Sequence, residues 1–196
     1  MVFLPGAGTK YLDLKMTGMA EKVLEIRPLG APDAAAFRQI RLQAISDSPS
    51  AVWPTYEEEA RRTVKEIEAR ILMTDTQAVF GAFIDGTLVA IAGLRREPLD
   101  QVRHKAVLWG VFVSPDWRRE GLARKLFARV QAFAREEGVL QIHLCVNAEN
   151  LRARKLYRSL GFASFGVEPR AMRVGDRFFD EEHMVLRLDA RFPQEE

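Results

Sequence analysis

From residue 23 onward the chain switches repeatedly between a hydrophobic period near two and one near 3.6, and the switches mark its elements. Residues 23–29 place Val23, Leu24 and Ile26 ahead of Pro28 and read as a strand. A helix follows Asp33, with Phe37, Ile40, Arg41 and Ala44 at helical spacing, and stops near Asp47-Ser48-Pro49. A second helix begins at Thr55, which stands three residues before Glu58 as in a capping box. Residues 78–84 and 87–94 are apolar runs flanking Asp85-Gly86, a dipeptide suited to tight hairpin turns. The polar segment 95–104 reads as a loop. Next come a strand over 104–113, a helix over 121–138 and a strand over 139–146. In that helix Leu122, Leu126, Val130 and Phe133 form one stripe. A short helix then closes at Gly161, and residues 162–188 read as two strands around a turn at 174–176.

The order strand, helix, strand implies a right-handed crossover and a parallel pair, while the flanking hairpins add antiparallel pairs. The predicted fold is therefore α/β, or α+β, with a mixed sheet and helices packed on it, in one domain over residues 22–190. Residues 1–21 lack a sustained period and contain Gly6, Gly8 and Gly18. They read as a loose N-terminal extension, with docking onto the body as the alternative, and residues 191–196 as a C-terminal tail.

Charge narrows the function classes. The 196 residues carry 29 basic against 27 acidic side chains, a net charge of +2, which gives no general attraction to nucleic acid or membrane. Cys145 is the lone cysteine, so no intrachain disulfide can form. No His/carboxylate spacing suggests a metal. No apolar run approaches the ~20 residues that span a bilayer, and the start lacks a secretory pattern. The expectation is a cytoplasmic protein with no metal, nucleic-acid or membrane partner.

Chemistry concentrates in residues 111–126, VFVSPDWRREGLARKL. An apolar strand ends at Val113, Pro115 breaks it, and a long helix opens at Gly121. The first N–H groups of such a helix have no intrahelical acceptor, and with the helix dipole they form an anion site. Taken alone, the stretch reads equally as an ordinary loop with solvated arginines. Its pattern Arg118-x-x-Gly121-x-Ala123 resembles the acyl-CoA pyrophosphate loop of the GCN5-related N-acetyltransferase (GNAT) superfamily, Q/R-x-x-G-x-G/A. Residues 146–162, VNAENLRARKLYRSLGF, resemble the second signature of that superfamily through Asn147, Asn150, Ala153, Leu156, Tyr157, Gly161 and Phe162. The two motifs cover 107–162, and the upstream elements match the family's plan from residue 22 onward.

The resemblance implies a GNAT fold of about six or seven strands with helices on both faces, and acetyl-CoA as co-substrate. It assigns Arg118, Arg119, Gly121, Leu122 and Ala123 to the pyrophosphate. Phe112 and Val113 fall to the pantetheine arm, in a gap between two splayed strands. Gly110 would mark a bulge there, or mere strand flexibility. Asn150 would hydrogen-bond the cofactor, cap the next helix, or do both. Tyr157 would protonate the departing thiolate, since a phenol with an ordinary pKa of ~10 keeps its proton at neutral pH; the alternative is a core tyrosine beside Leu156 and Leu160.

The implied reaction moves an acetyl group to a primary amine by direct attack in a ternary complex. The acceptor would be a small-molecule amine or a protein N-terminus, and a homodimer is compatible with the family. A catalytically silent acyl-CoA sensor or assembly subunit is the alternative function.

The general base is less legible. Family members often carry a carboxylate on the strand before the phosphate loop, but here that strand offers His104 and Lys105 and no acid. Glu97, Asp100 and His104 are the candidates. By resemblance, Trp53, Tyr56, Glu58, Asp180 and Glu181 would shape the acceptor pocket. Acidic clusters at 57–59 and 180–182, with Glu57 or Glu59 freer than the capping Glu58, would favour a cationic acceptor. His143 and Cys145 share one strand face and read as buried; His183 is undecided. Arg152, Arg154, Lys155 and Arg158 form a basic helix face, solvated or touching the nucleotide phosphate.

Overall fold

The computed structural model describes residues 22–189 and, in addition, the backbone of a short strand β1 (Thr9–Tyr11). The remainder of the expected extension and the expected tail 191–196 lie outside the described residues. β1 pairs antiparallel with β2 (Leu24–Pro28). The chain continues through α1 (Ala34–Asp47), α2 (Tyr56–Ala60), α3 (Val64–Ile71), β3 (Gln77–Ile84) and β4 (Thr87–Arg96). It then runs through β5 (Lys105–Val113), α4 (Leu122–Glu136), β6 (Gln141–Asn147), α5 (Leu151–Ser159), β7 (Ala163–Val174) and β8 (Arg177–Arg187).

Together these strands form one sheet in the order β1-β2-β3-β4-β5-β6-β8-β7, seven strands from Leu24 onward plus β1. All pairs are antiparallel except β5–β6, the parallel pair that the crossover through α4 requires. Helices cover both faces. On one, Leu122, Leu126, Val130 and Phe133 of α4 pack against Phe80, Leu94, Leu108 and Ile142 of the sheet. On the other, Phe37, Ile40 and Ala44 of α1 and Ile67 and Ile71 of α3 pack on Val79, Ile91 and Phe112. This double coverage explains why β3 reads as a continuous apolar run: seven of its eight residues are buried.

Local chemistry sets most boundaries. Asp85 and Gly86 both take positive φ and close the β3–β4 hairpin as expected. Thr55 accepts from the Glu58 amide while Glu58 bonds back to Thr55, the full capping box. The helix it opens lasts only five residues. A second box, Thr63 with Glu66, starts α3, so the segment is two helices where the pattern suggested one. The expected loop 95–104 starts late, because Arg95 and Arg96 still pair with β5 as the end of β4.

Candidate active site

β5 and β6 pair only over Lys105–Val107 and Gln141–His143; beyond that no ladder joins them. The parting begins three residues before Gly110, which takes φ 63°. Here Gly93 and Ile91 of β4 face Trp109 and Phe112, so Gly110 and Val111 together oppose Ala92. The bulge expected at Gly110 is present, and its left-handed backbone favours glycine.

A cavity of about 420 Å³ lies at this parting. It is bordered by all nine site residues inferred from sequence: Phe112, Val113, Arg118, Arg119, Gly121, Leu122, Ala123, Asn150 and Tyr157. The loop end is built from backbone. Arg119 and Gly121 both adopt positive φ, at 70° and 73°, which coils the chain tightly into α4. No side chain caps α4. Among the described residues the amides of residues 119 to 123 donate to no protein acceptor. A Cβ built on Gly121 would meet nothing within 4 Å, so the space above these amides is open. The arrangement suits an anionic group with many acceptor oxygens, as a pyrophosphate has.

Two assigned residues do structural work. The Arg118 guanidinium donates from Nε to the Val113 carbonyl at 2.9 Å and pairs with Asp47 at 2.6 Å. That contact holds the Asp47 carboxyl below the usual carboxylate range. Arg118 thereby ties α1, the end of β5 and the loop together. Asn150 caps α5 by accepting from the Ala153 amide at 3.0 Å, which leaves its side-chain NH2 group uncommitted.

Tyr157 projects from α5 and meets Phe162 edge to face, with centroids 5.7 Å apart. Its hydroxyl makes no hydrogen bond to a described residue. Burial pushes its phenol up to about 12, so it carries a proton throughout the physiological range.

The base candidates are elsewhere. His104 precedes β5 at its start, while the cavity lies at the end of the strand. Eight residues of strand separate His104 from Phe112, about 26 Å at ~3.3 Å per residue. Glu97 and Asp100 belong to the same remote loop, whose location the sequence period could not reveal.

The acidic clusters are largely spent within the protein. Glu58 is occupied by capping, and Glu57 is exposed. Glu59 is 2% exposed and accepts from Arg41, Arg62 and Arg70. Burial alone would raise its pKa, but the charges of Arg41 and Arg70 and bonds from Arg41 and Arg62 hold it below the usual carboxylate range. Asp180 accepts from the Arg170 amide, and Glu181 accepts from the indole of Trp53. Glu182 is buried beneath Arg154 and Arg158, so two of the four basic residues on α5 are paired inward. The expectation of two free acidic clusters facing one pocket is thus corrected. Among the described residues these carboxylates already have guanidinium, indole or backbone partners, apart from the exposed Glu57.

On β6, His143 and Cys145 are half-buried rather than fully enclosed, and the His143 ring packs edge to face on Phe165. His143 Nε2 is a buried atom without a partner, and burial lowers its pKa, so the ring is neutral. Burial, with the charges of Glu181 and Glu168, pushes the Cys145 thiol up to about 11. A thiol so raised is not an activated nucleophile. His183 pairs with Glu168 at 3.1 Å. Among the described residues no group of His, Cys, Asp and Glu could hold a metal, and no helix is long and apolar enough to cross a membrane.

Sequence reasoning gave no functional role to Arg41 or Arg70 and read Glu59 as free to face a ligand. Arg41 sits in register with the apolar stripe of α1, which was the one available signal that it points inward.

Comparison with known proteins follows the same outline. A sequence profile described as the acetyltransferase (GNAT) family matches residues 42–162. The chain is 27% identical over 143 residues to the aminoglycoside N(6')-acetyltransferase type 1 of Salmonella enteritidis, covering 71% of this chain and 91% of that protein. It is 28% identical over 169 residues to the L-amino acid N-acyltransferase MnaT of Escherichia coli, covering 86% and 96% respectively. Among solved structures it resembles yncA of Salmonella typhimurium, determined with its cofactor acetyl-CoA. That match has a TM-score of 0.74 and 25% identity, covering 88% of this chain and 98% of that one.

Proposed function

Because the chain belongs to the acetyltransferase (GNAT) family and is an acetyl-CoA-dependent N-acetyltransferase, we propose that the cavity at the end of β5, between the start of α4 and α5, is its active site. There it would transfer the acetyl group to a primary amine by direct attack within a ternary complex. The observation that carries this reading is the convergence of one open-ended amide loop and one protonated phenol on a single cavity at a strand parting.

Acetyl-CoA supplies an acyl group activated as a thioester. The amides of residues 119 to 123 are the groups to hold its pyrophosphate, supported by the positive end of α4. The unpaired edge of β5 beyond Val107 offers backbone groups to the amides of the pantetheine arm, as an added strand would. Phe112 and Val113 border that path, and Asn150 has side-chain N–H groups to offer from the opposite wall. Holding both reactants in one pocket converts a bimolecular encounter into an attack within a complex.

The chemistry balances simply. The neutral amine forms a C–N bond to the acyl carbon, the C–S bond breaks, and the amine's surplus proton leaves to solvent. Tyr157 protonates the departing sulfur and regains its proton from solvent, so one proton leaves the amine and one reaches the thiol in each turnover. The acceptor is a small-molecule amine or a protein N-terminus, and the chain would act in the cytoplasm.

Replacing Tyr157 with Phe tests the assignment, since it keeps the ring packing on Phe162. The expected result is a fall in kcat of about 100-fold, the lower range for general acid catalysis, with acetyl-CoA affinity by calorimetry nearly constant. A kcat within about twofold of wild type would reduce Tyr157 to packing.

A further inference from the structure

We propose that the acceptor is an amine carrying a carboxylate beside its nitrogen, as an α-amino acid does, and that Arg41 is the residue that grips this carboxylate. The proposal rests on the acetyltransferase reading above and names its second substrate.

Arg41 is 2% exposed, yet it borders the cavity. Its Nε donates to Glu59 at 3.2 Å, and its other nitrogens make no hydrogen bond to any described residue. One of these, Nη1, lies 3.4 Å from where a Cβ on Gly110 would stand, so the guanidinium packs on the bulge itself. A guanidinium has five N–H donors, and those that Glu59 does not engage are open to an acceptor entering the cavity that Arg41 borders.

The local charge calls for an anion. Three guanidiniums, those of Arg41, Arg62 and Arg70, converge on the single carboxylate of Glu59. Arg70 in turn lies over the ring of Trp109, the residue before the bulge, at 4.7 Å from its centroid. Positive charge is therefore in excess around Gly110. Asp47, which also borders the cavity, is neutralised by Arg118 and does not offset it.

The cofactor does not supply that anion. Its phosphates belong at the amides of residues 119 to 123, and a neutral thioester belongs at the bulge. A negative group reaching Arg41 must enter with the acceptor. A planar carboxylate matches the guanidinium fork, and Glu59 fixes the fork by holding Nε. In an α-amino acid one carbon separates carboxylate from amine, so a carboxylate held beside Gly110 leaves the nitrogen at the acyl group. A polycationic acceptor would instead bring its charges against three guanidiniums.

The test compares L-amino acids with their amides and decarboxylated amines, and with an aminoglycoside, measuring CoA release at matched free-base concentration. The wild-type enzyme should favour the acid over its amide in kcat/KM by at least about 10-fold, the effect of one charge-assisted contact. In Arg41→Gln that ratio should fall to near one, chiefly through KM for the acid, and Arg41→Lys should retain part of it. The wild-type comparison stands even if a variant fails to fold. Amides or the aminoglycoside used as well as the acids would overturn the proposal while leaving the acetyltransferase reading intact. So would an Arg41→Gln enzyme that slows every acceptor equally in kcat and keeps the ratio. A chain that neither binds acetyl-CoA in calorimetry nor releases CoA with any amine overturns both.

Discussion

The two ends of the cavity offer hydrogen-bond donors of different kinds. At the α4 end the donors are consecutive backbone amides, aimed by a left-handed glycine and a helix start, and no side chain is needed to make the site anionophilic. At the β5 bulge the donors are side chains from α1, the end of α2 and α3, gathered on one buried carboxylate. Backbone recognition is local and tolerant of side-chain change, except where a Cβ would enter the ligand's space. Side-chain recognition depends on an assembled network and fails when one member is lost.

The largest expected effect breaks the backbone end. Gly121→Glu sets a carboxylate where phosphate oxygens belong and forces a side chain onto φ 73°. Acetyl-CoA affinity should fall by more than about 100-fold, the equivalent of two charge-assisted bonds. Unchanged affinity in a folded variant would remove the loop from cofactor binding.

At the side-chain end, Glu59→Gln leaves three guanidiniums without their carboxylate. A loss of about 3 kcal/mol in unfolding free energy is expected, as when one partner of a buried pair is removed. The pH dependence sharpens this. The folded pKa of Glu59 lies below its ordinary value of 4.5, so its contribution is complete above that value and is lost as pH falls through the folded pKa. Urea midpoints should therefore converge between wild type and variant as the pH drops below about 4.5. Parallel curves across that range would mean that Glu59 does not carry the coupling.

The smallest effect lies where the two modes meet. Arg118→Ala removes the tie between Val113 and Asp47 but no amide donor, so acetyl-CoA affinity should weaken by only about 3- to 10-fold, near 1 kcal/mol. A loss as large as that of Gly121→Glu would make the guanidinium itself a phosphate ligand.

Legibility followed the same division. That the α4 loop, Tyr157 and Asn150 lie together was readable because each belongs to a short contiguous motif, and all nine inferred residues border one cavity. The β3–β4 hairpin and the Thr55 cap were readable for the same reason: their partners lie within a few residues. The break between α2 and α3 had a readable signal in Thr63 and Glu66, masked by the charged run before it. The base candidates failed because a strand's period gives its faces but not which end approaches a pocket. His104 and Phe112 share β5 or its flank, yet the strand's length keeps them apart.

By itself the sequence determined the elements, the parallel crossover, the glycine-led loop that opens α4 and the family. Each of these is encoded by spacing within a few turns of helix or residues of strand. Only the tertiary structure decided which charges remain free. Glu59 looked like a carboxylate free to face an acceptor, and it is buried because α1 and α3 bring Arg41 and Arg70 onto it from opposite sides in sequence. Glu182 looked like part of an acidic hairpin, and α5 covers it with Arg154 and Arg158. Whether a carboxylate is surface, scaffold or ligand-facing depends on desolvation and on partners many residues away, and those are properties of packing that no local pattern contains.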